Sequence, residues 1–363
     1  MTFAELNKNF GFGCMRLKMD GDEVDYDEFN RMIDKFMDAG FNYFDTAHGY
    51  INGKSETAIR DCLVARYPRE SFVLANKLSH WFFEKEEEIE PLFESQLKQC
   101  GVEYFDIYLF HTLTRDIYAH HKKCNSFEVV KRLKEQGKIK HIAMSFHDTA
   151  DVLDMILTEQ PFIEAVQLQF NYLDYDDPGV QSKACYDVAV KHGKKVLIME
   201  PVRGGALVNL PEAGKQVFDR LGGGSYASYA LRFAASFPEV VMVLSGMGSV
   251  EMMEDNIRTF SHFVPLNEEE FKATDRVRGI IRQARQIPCT GCRYCTEVCP
   301  QGIAIPEVFA AYNQYLAAKI TKAEAKNAMP AEHPVTECVK CGKCEKICPQ
   351  NISIREHLEK IAK

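Results

Sequence analysis

Eight of the thirteen cysteines form two copies of one spacing pattern near the carboxyl end of the chain. The copies are Cys289-x-x-Cys292-x-x-Cys295-x-x-x-Cys299 and Cys338-x-x-Cys341-x-x-Cys344-x-x-x-Cys348, each followed by a proline. Three cysteines at this spacing wrap a tight loop around three corners of a cube, and their thiolates are the ligands of cubane 4Fe-4S clusters. Because such a cluster carries one electron at a time, the pattern predicts a redox protein.

The fourth ligand of each predicted cluster comes from the other run. In the bacterial ferredoxin arrangement the last cysteine of each run ligates the other cluster, which ties both runs into one small domain. Two structural zinc sites, which normally use pairs of cysteines, and disulfides are the competing interpretations. The predicted ligand sets are Cys289, Cys292, Cys295 and Cys348 for one cluster, and Cys338, Cys341, Cys344 and Cys299 for the other.

The length and charge of the chain limit the remaining possibilities. At 363 residues, we expect a large domain and a small one. A net charge of -8 argues against nucleic acid or a membrane as partner, and no apolar stretch is long enough to span a bilayer. Clusters of this type need reduced thiols, so we expect a cytoplasmic protein. The other cysteines are predicted to be small buried hydrophobes: Cys14, Cys62, Cys100, Cys124 and Cys185.

Short apolar runs alternate with helical periodicity over the first 260 residues. Predicted strands cover 10–15, 42–44, 72–76, 105–110, 139–144, 165–169, 196–199 and 240–244. Predicted helices cover 27–39, 55–67, 84–100, 126–136, 149–157, 180–192, 224–235 and 250–260. Eight such units predict an α/β fold, a (β/α)8 TIM barrel followed by a small, largely helical dicluster domain. We place the barrel domain at 1–282 and the cluster domain at 283–363.

Two segments exceed the minimal repeat. Insertions at 112–125 and 201–223 follow the fourth and seventh strands, on the face where a barrel builds its active site, although a surface excursion would also account for the first. A helical connector is predicted at 261–286. Between the two cysteine runs, 306–328 is predicted to form one helix or two.

Four residues that can take part in proton transfer follow the second, third and fourth strands. Asp45 and Tyr50 follow the second strand, and Lys77 and His111 end the next two. Strand ends of a barrel converge on one pocket, so these side chains should lie within reach of each other. A phenol with a pKa of about 10 is a poor acid at neutral pH, but an adjacent ammonium and a histidine bring it into a useful range. The set is suited to protonating a carbonyl oxygen as hydride reaches its carbon, or to the reverse.

The motifs around these residues resemble those of the aldo-keto reductase family. The run FDTAHGY, followed by GKSE, the lysine of VLANK and the histidine of FDIYLFH match the family's catalytic tetrad at Asp45, Tyr50, Lys77 and His111. The resemblance covers about residues 8–260. The whole chain is similar to the branch of the family that carries a C-terminal domain with two 4Fe-4S clusters.

The resemblance implies a nicotinamide cofactor bound across the barrel mouth without a Rossmann domain. The resemblance implies four contact regions for this cofactor. They are a first loop under the nicotinamide, a pair that holds its carboxamide, a loop over the pyrophosphate, and a final segment for the phosphate and adenine. The matching positions are Gly13, Cys14 and Met15; Ser145 and Gln167; Pro201, Val202 and Arg203; and Gly246, Ser249 and Asn256.

Two departures from the family pattern bear on the cofactor. Gly246 and Met252 replace the lysine and arginine that many members use for the 2′-phosphate of NADPH, and Glu251 adds a negative charge. The usual Ser-Asn after the fifth strand reads Ser145-Phe146 here, so one carboxamide contact is missing or made differently. NAD(H) is therefore preferred over NADP(H), and a flavin stays open as a cofactor.

Two functional hypotheses follow. In the first, the chain is an aldo-keto reductase-like enzyme that reduces a carbonyl of a small molecule, or oxidises the alcohol, and exchanges electrons through the clusters with a ferredoxin or another electron carrier. In the second, the barrel is a non-catalytic nucleotide-sensing or docking subunit with the clusters as redox sensor. The matching tetrad favours the first hypothesis. Loops set specificity in this fold, with His80, Trp81, Phe82 and His147 near the predicted mouth.

Overall fold

The computed structural model describes residue 6 and residues 9–283, 286–316 and 319–363. Residues 1–5, 7–8, 284–285 and 317–318 lie outside the described part. The predicted domain ranges include all of them, and the predicted helical segments 261–286 and 306–328 include the last two pairs.

Eight parallel strands close into a barrel, as the sequence predicts. The described strands are β1 (Phe10–Gly13), β2 (Met19–Asp20), β3 (Glu23–Val24), β4 (Tyr43–Asp45), β5 (Val73–Leu78), β6 (Phe105–Leu113), β7 (Ile139–Phe146), β8 (Ala165–Gln169), β9 (Lys195–Met199) and β10 (Val240–Gly246). The barrel order is β1-β10-β9-β8-β7-β6-β5-β4. The short antiparallel pair β2 and β3, which was not predicted, forms a separate sheet after the first barrel strand.

A helix follows each barrel strand. The described α-helices are α1 (Tyr26–Asp38), α2 (Lys54–Ile59), α3 (Ile89–Cys100), α4 (Arg115–Lys123), α5 (Ser126–Glu135), α6 (Ala150–Glu159), α7 (Ser182–Lys191), α8 (Glu212–Asp219), α9 (Tyr226–Ala235), α10 (Val250–Ser261), α11 (Glu268–Gln283), α12 (Tyr294–Glu297), α13 (Ile305–Leu316), α14 (Lys322–Ala328), α15 (Lys343–Lys346) and α16 (Ile354–Ala362). None of the helices in this described part is long and apolar enough to cross a membrane.

The barrel interior is filled by small and medium side chains around one tyrosine. Its buried cluster consists of Tyr43, Val73, Ala75, Ile107, Leu109, Ala143, Ala165, Leu197, Met242 and Leu244. Gly11 of β1 faces this cluster, and a Cβ there would lie 2.8 Å from the Tyr43 ring and 2.9 Å from the Met242 sulfur. Glycine is needed at this position because Tyr43 fills the space that a side chain would occupy.

Helix α1 shows how the outer layer packs on the strands. Phe29, Met32, Ile33 and Phe36 recur at helical spacing and are all buried. The Phe36 ring lies 5.6 Å from the ring of Phe10 on β1. The helix therefore covers the outside of the barrel with an aromatic face.

The described residues separate into two compact units. Residues up to Pro201 together with Ala230–Leu266 form the first, which holds all eight barrel strands. Val202–Tyr229 and Asn267–Lys363 form the second. The predicted division between residues 282 and 283 stays a prediction. In the structure, the segment that follows β9 packs with the cysteine-rich part of the chain.

Two features hold the second unit together. Phe218 of α8 stacks on Tyr229 at 4.2 Å between ring centroids, and α8 packs against α11. An apolar cluster between the cysteine runs and the C-terminal helix consists of Ile287, Ile303, Ile305, Val308, Phe309, Ile352, Ile354, Leu358 and Ile361. The predicted segment 306–328 contains two helices, α13 and α14.

Within the second unit, the backbone of the Val202–Tyr229 segment lies directly against the backbone of the loop that carries Cys289 and Cys292. Gly204 has a left-handed φ of +60°, and a Cβ there would lie 2.7 Å from the carbonyl carbon of Thr290 and closer still to its oxygen. No side chain fits into this space. Gly222 in the same unit has a similar φ of +64°, but a Cβ there would meet nothing within 4 Å.

This pair of glycines predicts different costs for the same substitution. Gly222→Ala should cost about 1 kcal/mol, because it introduces only left-handed backbone strain. Gly204→Ala should cost about 1–3 kcal/mol more, because the methyl group also overlaps Thr290. Denaturant unfolding of the cluster-loaded protein measures both. Equal losses for the two variants would contradict the close contact.

Candidate active site and cluster sites

The register of the barrel brings the four predicted catalytic residues to one end. Asp45 is the last residue of β4, Lys77 is next to last in β5, and His111 lies near the end of β6. Tyr50 lies in the turn after β4, five residues beyond Asp45. Because these strands are parallel neighbours, their carboxyl ends meet on the same side of the barrel.

Lys77 and Asp45 form a buried ion pair at the centre of the site. Lys77 Nζ donates to Asp45 Oδ1 at 2.5 Å and to the carbonyl oxygen of Thr46 at 2.8 Å. Burial lowers the pKa of Lys77, and the charge of Asp45 opposes that shift. The pair therefore allows an ammonium group to remain in a site without access to water.

Tyr50 and His111 complete the group. Lys77 Nζ lies 4.7 Å from the centre of the Tyr50 ring, within the range of a cation–π contact. The rings of Tyr50 and His111 meet edge to face at 6.0 Å. The structure thus brings together Asp45, Tyr50, Lys77 and His111.

A β-bulge orients His111. The register between β6 and β7 shifts between Phe110 and Leu113, and Thr112 within this bulge has an unusual φ of +57°. Bulges beside active sites commonly redirect a side chain. The Thr112 N–H, displaced from the strand ladder, donates to Ser145 Oγ at 2.7 Å. Ser145 therefore satisfies a backbone group of the bulge in addition to any part in cofactor binding.

The environment of His111 keeps its imidazole neutral. Burial, followed by the positive charge of Lys77, lowers the pKa of His111 well below its ordinary value. Its Nδ1 lies 2.6 Å from the hydroxyl of Ser79, which is fully buried. When Ser79 donates this hydrogen bond, the ring proton of His111 lies on Nε2. The residue pair then presents a hydrogen-bond donor at Nε2.

Aromatic and histidine side chains surround the group. Trp81 lies 5.2 Å from His111 between ring centres, and Phe82 lies 4.8 Å from His48. Burial lowers the pKa of His147 to about 4, and burial together with His120 lowers the pKa of His80 to about 4. These histidines are therefore neutral at pH 7, and they contribute polar atoms without adding positive charge.

A buried carboxylate network supports the site from behind. Glu56, fully buried, accepts hydrogen bonds at 2.7 Å from Asn76 Nδ2 and pairs at 2.7 Å with His48 Nδ1. Asn76 Oδ1 in turn accepts the backbone N–H of Lys77 at 2.8 Å. Sequence reasoning did not assign roles to Asn76, His48 or Ser79. The one feature of the sequence that could have pointed to them is that each lies within three residues of a tetrad member.

Several predicted cofactor residues lie beside the tetrad. Gly13 pairs in register with Asp45 on one side and with Gly246 on the other. Cys14 is buried, and its N–H donates to the Asp45 carbonyl at 2.8 Å. Gln167 is the register neighbour of Ser145 and donates from Nε2 to Asp45 Oδ2 at 3.3 Å. Met15 follows Cys14 and is half-buried.

The remaining predicted cofactor residues are more dispersed. Ser249 caps α10 by accepting the N–H of Met252 at 3.4 Å, whereas the amide of Asn256 is buried and donates to Ser245 at 3.0 Å. Pro201 ends the first segment of the first unit, and Val202 and Arg203 belong to the second unit. Their proposed contacts with a nucleotide stay predictions.

Two residues missed by sequence reasoning lie near the predicted phosphate segment. The side chain of Arg16 packs over Gly246 and forms an ion pair with Glu200 at 3.1 Å. Glu28 of α1 accepts the N–H of Val250, the first residue of α10, at 2.7 Å. The start of α10 is therefore already occupied by a carboxylate from a helix 222 residues away in sequence.

The eight cysteines of the two runs line two separate cavities in the second unit. One cavity is lined by Cys289, Cys292, Cys295 and Cys348, and its volume is about 320 Å³ when the part open to solvent is included. The other cavity is lined by Cys299, Cys338, Cys341 and Cys344, and its volume is about 330 Å³ with the open part included. Each set of four joins three cysteines of one run to the last cysteine of the other, as in the predicted ligand sets.

The chemistry of both cavities fits a polynuclear iron–sulfur cluster. Burial and then the neighbouring thiols Cys292 and Cys289 raise the pKa of Cys295, and burial is the largest cause that raises the pKa of Cys344 to about 11. Crowded buried thiols of this kind become ligands when a metal centre supplies positive charge. Among the described residues, no three His, Cys, Asp or Glu side chains converge on a single ion. The thiols instead surround a volume, as a cubane requires.

The barrel and the two cysteine-lined cavities define an oxidoreductase that joins a (β/α)8 barrel to an iron–sulfur domain. Residues 9–278 match the Aldo/keto reductase family, and the chain belongs to that family. Residues 288–352 match a 4Fe-4S dicluster domain, which provides for two 4Fe-4S clusters.

Similar proteins support this assignment. The uncharacterized oxidoreductase YqkF of Bacillus subtilis is 22% identical over 296 residues, 72% of this chain and 90% of that protein. A holo-form aldo-keto reductase of Bacillus halodurans has a TM-score of 0.61 at 22% identity, with 74% of this chain and 91% of that chain covered. One from Klebsiella pneumoniae in complex with NADPH has a TM-score of 0.58 at 17% identity, with 74% and 90% covered. At these identities the solved structures establish the fold.

The buried pair predicts an asymmetric response to substitution. Lys77→Met should destabilise the barrel by about 3–5 kcal/mol, because it leaves the Asp45 carboxylate buried without a positively charged partner. The double variant Asp45→Asn with Lys77→Met should lose less, because neither remaining side chain is charged. Denaturant unfolding followed by circular dichroism measures both. A double variant less stable than Lys77→Met alone would show that the pair is not what stabilises the site.

Proposed function

We propose that the chain reduces the carbonyl group of a small molecule, or oxidises the corresponding alcohol, by hydride transfer assisted by Tyr50. The observation that supports this most is the convergence of Tyr50, Lys77, Asp45 and His111 at one end of the barrel. In the direction of reduction, an external carrier would supply two electrons, one at a time, through the two clusters held by the cysteine sets of the second unit, and these electrons with one proton would restore the hydride donor. Nicotinamide supplies or accepts the hydride when it is bound.

Each side chain has a distinct role in the proposed reaction. The Tyr50 hydroxyl donates its proton to the carbonyl oxygen while hydride adds to the carbonyl carbon, so an alcohol forms and a phenolate is left. The Lys77 ammonium, 4.7 Å from the ring centre, stabilises that negative charge. Asp45 holds Lys77 in place, and neutral His111 donates from Nε2 to orient the carbonyl oxygen.

The charges around α10 favour NAD(H) over NADP(H). Glu28 accepts the Val250 N–H at the start of the helix, and Glu251 follows one residue later. Arg31 pairs with Glu28 and offsets its charge, so Glu251 contributes more of the repulsion of a 2′-phosphate, whereas a carboxylate is suited to accept a hydrogen bond from a ribose 2′-hydroxyl. A flavin is the second candidate, since it converts two-electron into one-electron transfer.

Tyr50→Phe tests the catalytic proposal. It should lower turnover with a carbonyl substrate by about 100-fold to 10,000-fold, because the proton donor is lost. Tyr26→Phe, which removes the hydroxyl of an exposed tyrosine, is the matched control and should keep full turnover. Dithionite should reduce the clusters equally in both variants. Full turnover by Tyr50→Phe would show that Tyr50 is not the proton donor.

The nucleotide proposal predicts a measurable preference. Titrations should give at least about 10-fold tighter binding of NADH than of NADPH, equivalent to about 1.4 kcal/mol. Glu251→Gln should narrow that ratio, because it removes one of the charges that repel the 2′-phosphate. Glu254→Gln, which removes the same charge later in α10, should leave the ratio unchanged. Equal affinity of the native protein for both nucleotides would contradict the preference.

A further inference from the structure

The two cluster sites differ in how much protein covers them. Thr290, which follows Cys289 in the first site, is buried, and its carbonyl lies against Gly204 of the Val202–Tyr229 segment. In the second site Cys341 is exposed, and it is the one exposed cysteine of the thirteen, all of which lie in the described part of the chain. Within the second unit, the first site has no exposed cysteine, whereas Cys341 brings the second site to the surface.

The loop around Cys341 presents an apolar side chain to solvent. Val339 lies between two ligands of the second site and is 59% exposed, among the most exposed of the large hydrophobic side chains in the described residues. Lys340, Lys343 and Lys346 follow it in sequence and are exposed. We name the surface made by Val339, Lys340, Cys341, Lys343 and Lys346 the cluster-loop face.

The charge of this region is opposite to that of the whole chain. Residues 338–363 contain six lysines and arginines and three glutamates, a formal charge of +3, whereas the chain carries -8. Arg355 neutralises Glu345 in the second-site loop, and Lys340 and Lys363 share Glu359. Lys343 and Lys346 form no ion pair with any described residue.

We propose that the cluster-loop face is the docking site of an acidic one-electron carrier protein. A negatively charged carrier is repelled by most of this chain, so a local positive patch steers it to one place. Val339 supplies an exposed apolar contact beside the lysines, and exposed Cys341 brings the bound cluster close to the partner. The charge of the patch is complementary to an acidic protein.

Electron balance sets the number of encounters. Each carrier is oxidised by one electron as the cluster held by Cys299, Cys338, Cys341 and Cys344 is reduced by one. Two encounters supply the two electrons that, with two protons, convert a carbonyl to an alcohol. Only this last step rests on the proposed function. Docking and cluster reduction are independent of turnover.

Charge reversal on the patch tests the proposal with the full, cluster-loaded chain. The probe is a reduced acidic plant-type ferredoxin, with binding measured by calorimetry and cluster reduction by stopped-flow absorbance under anaerobic conditions without substrate. Lys343→Glu with Lys346→Glu should weaken binding and slow cluster reduction by about 10-fold or more at low salt, and added salt should reduce the difference.

Two controls separate the possible outcomes. Lys322→Glu with Lys326→Glu changes the net charge equally on exposed α14, outside both cavities, and should alter binding by less than about 2-fold. Reduced methyl viologen, a small cation, should reduce the patch variant as fast as the native protein. If the patch and control variants bind ferredoxin equally, or the native protein does not bind it, the docking proposal is wrong. Neither result changes the Tyr50→Phe test of catalysis.

Discussion

The buried pair of Lys77 and Asp45 is the interaction on which the candidate active site depends. An isolated ammonium group in this position would cost several kcal/mol, so the carboxylate at 2.5 Å is a condition for its presence. The same ammonium contacts the Tyr50 ring and is among the causes that lower the pKa of His111. Asp45 also accepts from Gln167, across the barrel mouth. One ion pair thus sets the electrostatics of the whole group.

A steric constraint has a comparable role in the second unit. The close approach of Gly204 to Thr290 joins the segment after β9 to the loop that carries Cys289 and Cys292. This segment therefore belongs to the unit with the cluster sites, although it lies within the barrel repeat in sequence. Val202 and Arg203, the proposed nucleotide loop, directly precede Gly204, whose backbone lies against Thr290 of the first cysteine loop.

Sequence periodicity was enough to predict the eight barrel strands, because each is a short apolar run between turn residues. The convergence of the tetrad also followed from strand order, and the two cysteine sets from the bacterial ferredoxin arrangement that their spacing matches. Contacts between distant parts of the chain were beyond this reasoning. Glu28 caps α10 across 222 residues, and the bulge at Thr112 depends on the register of two strands. Neither contact can be recognised from the neighbouring sequence, because a glutamate or a threonine in the same local sequence could face solvent in another fold.

The neutrality of the histidines at the barrel mouth decides which residue can act as the acid. A histidine whose pKa lies well below its ordinary value is not an imidazolium at pH 7, so His111 has no extra proton to give. Lys77 carries a proton, but its hydrogen bonds are directed to Asp45 and Thr46. In the proposed reaction the proton source is then the hydroxyl of Tyr50, and Lys77 stabilises the negative charge that proton transfer leaves on its oxygen. The chemistry therefore follows from burial as much as from residue type, since the same histidine in water would compete with the phenol.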